Sequence, residues 1–147
     1  MSLAENLEQD MKEALRNKEE KRLSTIRFLR SQIKNREIDK KLPLTDEEII
    51  EIIQKGIKQR KEILPDLERA SRQDLIEQAN KEIATLQSYL PAQLSSEELK
   101  QIIGEAIKEV GATSPRDMGK VMGALMPRVK GKADGKVLSE LIKALLQ

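Results

Sequence analysis

The sequence predicts an all-α protein of seven helices, a four-helix N-terminal part followed by a small three-helix C-terminal part. Three observations carry this. No segment alternates apolar and polar residues with the two-residue period of a strand, whereas apolar residues recur three and four apart along most of the 147 residues. The motif Ser/Thr-x-x-Glu opens three segments, at Ser2–Glu5, Thr45–Glu48 and Ser95–Glu98. In this motif the hydroxyl and the carboxylate can satisfy the N–H groups that a helix start leaves free. Aromatic residues are 1% of the chain, Phe28 and Tyr89, so the core must be built from Leu, Ile, Val, Ala and Met, as in helical bundles.

The first helix follows Ser2, with Leu3, Leu7, Met11 and Leu15 at four-residue spacing as its apolar stripe. A break near 17–20 precedes a second helix that turns Leu23, Ile26, Leu29 and Ile33 inward. It ends around Lys41-Leu42-Pro43-Leu44, because the residue before a proline resists the α region. Thr45 opens a third helix with Ile49, Ile53 and Ile57 on one face, which Pro65 is expected to interrupt. The fourth carries Leu75, Ala79, Ile83, Leu86 and Leu90. Pro91-Ala-Gln-Leu reads as a linker, giving domains 1–92 and 93–147. After Ser95, the residues Leu99, Ile102, Ile103, Ala106, Ile107 and Val110 define a fifth helix, with Gly111 placed to close it in the left-handed conformation. Ser114-Pro115 is an N-cap and first-turn proline in the preferred order. The sixth helix is expected to run to about Met126 and stop at Pro127. Asp134 can cap the seventh, which bears Val137, Leu138, Leu141, Ile142 and Leu145.

Composition removes whole classes of chemistry. With no cysteine and no histidine, thiol nucleophiles, disulfides, zinc sites and histidine general bases are excluded. No cofactor and no metal is expected, a carboxylate-only magnesium or calcium site being the one class left open. Acidic pairs such as Glu47-Glu48 and Glu97-Glu98 are explained as first-turn acids that complement the helix dipole, so no catalytic residues are assigned. No apolar run approaches the roughly 18–20 residues of a membrane span. The first residues lack the basic and apolar regions of a secretory signal, so a cytoplasmic protein with no membrane partner is expected.

The net charge of +2 says little, but its distribution is uneven. Ser114–Lys136 concentrates four of the seven glycines (Gly119, Gly123, Gly131, Gly135), three methionines at four-residue spacing (Met118, Met122, Met126), and the cations Lys120, Arg128, Lys130, Lys132 and Lys136. The methionines fit core packing, since Met fills irregular gaps. Gly119 and Gly123 lie one turn apart, and each costs a helix about 0.5–1 kcal/mol relative to alanine. That cost implies either tight helix packing or close approach of an RNA backbone or a protein partner. The stretch Arg128–Lys136 alternates cations with small residues and leads into a helix start, whose free N–H groups and dipole favour a phosphate. A second basic stripe lies on the second helix at Arg27, Arg30, Lys34 and Lys41.

The segment ATSPRDMGKVMGALMPRVKGKADGK with the helix VLSELIKALL after it closely resembles the signature of the YqeY family. The likeness extends to Leu7–Lys18, TIRFLRSQIKN (Thr25–Asn35) and EIATLQSYLPAQLSSEEL (Glu82–Leu99). A similar pattern ends the B subunit of the tRNA-dependent amidotransferase, the shared region being called the GatB/YqeY domain. The resemblance implies a two-part helical fold and an RNA connection: tRNA rather than DNA as partner, carried by Lys120, Arg128, Lys130, Lys132 and Lys136. The alternative is a protein partner in translation, met through the Gly/Met helix face. A glutamine-dependent carbon–nitrogen ligase activity would rest on this tail alone, because nothing here corresponds to the amidotransferase's catalytic body.

Overall fold

The computed structural model describes all residues, Met1–Gln147, and is all-α, with seven helices. The chain divides into two compact units, Met1–Leu90 and Pro91–Gln147, each with its own core.

The first unit holds α1 (Leu3–Arg16), α2 (Glu20–Lys40), α3 (Asp46–Arg69) and α4 (Gln73–Gln87). The Ser2 hydroxyl accepts from the Glu5 N–H, and at Thr45 both halves of the capping box form. α2 ends where Lys41 turns left-handed, one residue before the Leu42-Pro43 pair. Leu7, Ile26, Leu29, Ile49, Ile53, Ile83 and Leu86 form the centre of the core. Leu15 is exposed, and the buried partner of Leu7 in α1 is Ala14, two turns on at i+7 rather than i+8.

Pro65 does not interrupt α3, which runs on to Arg69. The proline lies on the exposed side, where water can take the carbonyl that it leaves unpaired, while Leu64 packs on the core. Gly56, which has no distinguishing signal in the sequence, is buried where α3 and α4 meet. A Cβ there would stand 3.3 Å from the Arg60 guanidinium and 3.4 Å from Leu86. Arg60 donates to the Glu82 carboxylate at 2.8 Å and to the Gly56 carbonyl at 3.0 Å, clamping the hairpin.

The second unit holds α5 (Ser96–Val110), a 3₁₀ turn (Pro115–Asp117), α6 (Met118–Val129) and α7 (Gly135–Leu146). Each helix lays three buried residues into one core: Leu99, Ile103 and Ala106; Val121, Leu125 and Val129; Leu138, Ile142 and Leu146. The methionines flank this stripe, Met118 and Met122 half-buried and Met126 exposed. Val137 and Leu145 face solvent, and Leu146 takes the inward position. Ser95 forms a full capping box and Gly111 closes α5 with φ +67°. Ser114 makes no side-chain cap; the Asp117 carboxylate instead accepts from the Thr113 N–H at 2.9 Å. Pro127 does not end α6 either. It is exposed, and the turn beyond it carries Val129 into the core.

Candidate nucleic-acid interface

The basic segment Arg128–Lys136 is not one loop. Arg128 belongs to the last turn of α6, and Gly135 and Lys136 to the first turn of α7. Between them the Lys132 N–H donates to the Val129 carbonyl at 2.8 Å. Lys130 has φ −58° and ψ 124°, and Gly131 has φ +79°. These values define a type II turn, whose third position needs a positive φ and therefore glycine. Gly131 is buried, and its carbonyl accepts from the Gln93 amide at 2.7 Å. The Lys132 carbonyl accepts from the Leu94 N–H at 2.9 Å. Gly131 is thus required by the turn itself. The strap Gln93-Leu94 holds the turn in place, an arrangement with no local signal in the sequence because its partners lie about forty residues away.

The cations of the segment differ in how free they are. Arg128 donates to Glu105 of α5 at 2.8 Å and has Glu109 at 3.9 Å. The hydrogen bond to Glu105 raises its pKa further, so its charge is fixed and locally balanced. Lys120 stands 3.9 Å from Asp117 with most of its side chain in solvent, an exposed pair worth little in water. The Asp117 carboxyl is held below its usual value, first by the Thr113 N–H and also by Lys120. Lys130 is half-buried at the end of α6. Lys132 and Lys136 are exposed and form no ion pair.

The start of α7 is already partly occupied, since the Asp134 carboxylate accepts from the Lys136 N–H at 2.9 Å. A phosphate arriving there would meet that acid as well as the remaining N–H groups. Lys132 and Lys136, rather than the helix start, are the turn's free positive charge.

Gly119 and Gly123 both lie on the exposed side of α6, and a Cβ built on either meets nothing within 4 Å. Packing within the unit therefore does not account for them. The same holds for Gly135. In the first unit Arg27 and Lys34 are exposed, while Arg30 is half-buried with its guanidinium 2.9 Å from the Met11 sulfur. This stripe and the C-terminal turn belong to different units.

The chain is thus built of two compact helical units, the second carrying exposed lysines without ion pairs around a glycine-dependent turn. No helix is long and apolar enough to cross a membrane. The profile of the Yqey-like protein family matches residues 4–146, and the chain belongs to that family. It is 30% identical over 144 residues to Altered inheritance of mitochondria protein 41, mitochondrial, of Pyrenophora tritici-repentis, covering 95% of this chain and 78% of the relative. The protein of the same name from Kluyveromyces lactis is 33% identical over 142 residues, covering 94% and 72%. A shorter likeness, 36% over 58 residues, joins 37% of this chain to 9% of one of the subunits of the glutamyl-tRNA(Gln) amidotransferase of Thermococcus gammatolerans. The relatives' names correct the expectation of a cytoplasmic protein, since they are mitochondrial proteins. The composition of a folded helical chain carries no information about compartment, so the expectation had only a default behind it.

Proposed function

We propose that this chain is a tRNA-binding accessory module whose C-terminal unit holds the phosphate backbone. The observation that carries the reading is the pair Lys132 and Lys136, exposed and without acidic partners on either side of the turn that leads into α7. The partial likeness to a subunit of an enzyme named for glutamyl-tRNA(Gln) supports tRNA as the ligand. Arg128 supports the site indirectly, by joining α6 to α5 through Glu105. Recognition is by charge and shape, so affinity falls steeply with salt, by about 0.7–0.9 in log–log slope for each phosphate neutralised.

The test is a gel shift with bulk tRNA across a salt series, using Lys132→Ala/Lys136→Ala. Both side chains are exposed, so the fold is retained. The expected result is weaker binding and a slope shallower by about 1.6. Unchanged affinity and slope in the folded double variant would remove this site.

One observation favours a second reading, docking on a translation protein: the open face of Gly119 and Gly123, with the exposed Met126 beside them. Pull-down with and without RNase separates the two, because a partner retained after RNase and lost with Gly123→Leu belongs to that face.

A further inference from the structure

The exposed side of α2 carries a feature that the C-terminal turn does not use. From Lys21 to Arg36 the sequence holds six Lys and Arg and no carboxylate. Two of these are engaged inside the bundle: Arg22 with Glu19 at 2.9 Å and Asp10 at 3.9 Å, and Arg30 with the Met11 sulfur. Arg27 and Lys34 are exposed and form no ion pair. Helical spacing puts Arg27, Ser31 and Lys34 on one row and Phe28, Ser31 and Asn35 on the next, forming a single face.

Phe28 is the chain's only phenylalanine, and it leaves 54% of its surface in solvent. It belongs to neither core. About half of its apolar surface is therefore left in water, where covering it would be favourable. A lone exposed apolar residue is ordinary. What distinguishes Phe28 is its surroundings: a free guanidinium next to it, a free ammonium two turns on, and hydroxyl and amide groups between. Three grooves along α2 carry carboxylates, and none of them includes Arg27 or Phe28. Glu5, Glu8 and Glu37 line one that borders Ser31 and Lys34, Asp39 and Glu48 line another that borders Asn35, and Glu19, Glu20 and Glu82 line the third with Lys21 and Arg22.

The geometry points to a site for an unpaired RNA nucleotide, its base stacked on the Phe28 ring and its flanking phosphates met by Arg27 and Lys34. The inference rests on the RNA-binding reading above but assigns a different unit and a different RNA structure. In an A-form duplex the base faces are stacked on one another, so the ring has nothing to stack on. A loop or single strand offers a free face, and stacking of this kind tolerates any base.

The experiment measures fluorescence anisotropy of the full chain with a short oligouridine, an oligoadenosine and a blunt RNA duplex of equal length. The variants are Phe28→Ala, Phe28→Trp and Arg27→Gln/Lys34→Gln, all at exposed positions and checked for fold by far-UV circular dichroism. Phe28→Ala should weaken binding of both single strands about tenfold and leave the duplex unchanged, while Phe28→Trp retains single-strand binding. Arg27→Gln/Lys34→Gln should make the single-strand salt slope shallower by about 1.4. Wild-type affinity of Phe28→Ala for the single strands, or equal losses on single strand and duplex, overturns the assignment. So does the absence of RNA binding at low salt by a chain whose α2 face captures a protein. Lys132→Ala/Lys136→Ala, measured alongside on tRNA, separates the two sites. Loss there with no effect of Phe28→Ala overturns this inference alone, and the reverse pattern overturns only the C-terminal site.

Discussion

Two glycines of the C-terminal unit should answer the same substitution with opposite signs. Gly123 sits inside α6 on its exposed side, and a Cβ there meets nothing within 4 Å. Gly123→Ala therefore adds no contact and removes none. What changes is the backbone entropy of the unfolded chain and helix propensity, together worth about 1 kcal/mol in alanine's favour. Gly119 has the same clear space but lies in the first turn, outside the helix interior where the propensity difference applies in full, so its gain is smaller. For a unit of this size 1 kcal/mol corresponds to a rise in Tm of about 4–8 °C. Gly131 has φ +79° in a buried type II turn, so Gly131→Ala forces an L-residue into the left-handed region at a cost of about 1–2 kcal/mol. Thermal and urea unfolding followed by circular dichroism read both changes. A fall in Tm for Gly123→Ala would refute the reasoning, because it would mean that the α6 face is covered and the glycines are there to pack. Loss of a binding partner by a Gly123→Ala protein that is more stable than wild type would instead show that the face is kept open for recognition.

Ser95→Ala removes the cap that accepts from the Glu98 N–H at the start of α5, and should lower the C-terminal unit's stability by about 1 kcal/mol in urea titration. The Glu48 carboxyl is lowered from 4.5 to about 2, first by the Lys40 ammonium and then by the Thr45 N–H. A depressed carboxylate contributes stability that is complete above 4.5 and lost as pH falls toward about 2, so the N-terminal unit's urea midpoint should drop across that window and Glu48→Gln should flatten the drop. Tyr89 donates to the Asp10 carboxylate at 2.6 Å; burial first, and then that bond, push its phenol above the ordinary 10.0. Its contribution is complete below 10.0 and lost as pH rises above it, so alkaline urea midpoints should fall for wild type and fall less for Tyr89→Phe.

Helix starts and helix ends differ in how far the sequence reveals them. Thr45, Ser95 and Asp134 are readable as caps because a cap is closed within three residues. Pro65 and Pro127 read as helix ends and are not, for the opposite reason. Whether a proline breaks a helix depends on tertiary packing around it: Leu64, just before Pro65, packs against one core, and Val129, two residues after Pro127, is buried in the other. The five cations of the C-terminal segment look equivalent in sequence, yet Arg128 is held by Glu105 of another helix while Lys132 and Lys136 stay free. Gly131 looks like the other glycines of its segment and is the one that the turn requires.

By itself, the sequence determined the helical class, the number of helices and the caps at Ser2, Thr45, Ser95 and Asp134, since periodicity and capping are local properties of the chain. It also carried the family, through the long run from Met118 to Gly135. Only the tertiary structure decided which charges are spent on neighbours and which are free, that the α6 glycines face open space, and that Phe28 stands half in solvent. The reason is physical: an ion pair, an exposed face and a buried turn are each set by the distance between groups that the chain separates and packing brings together.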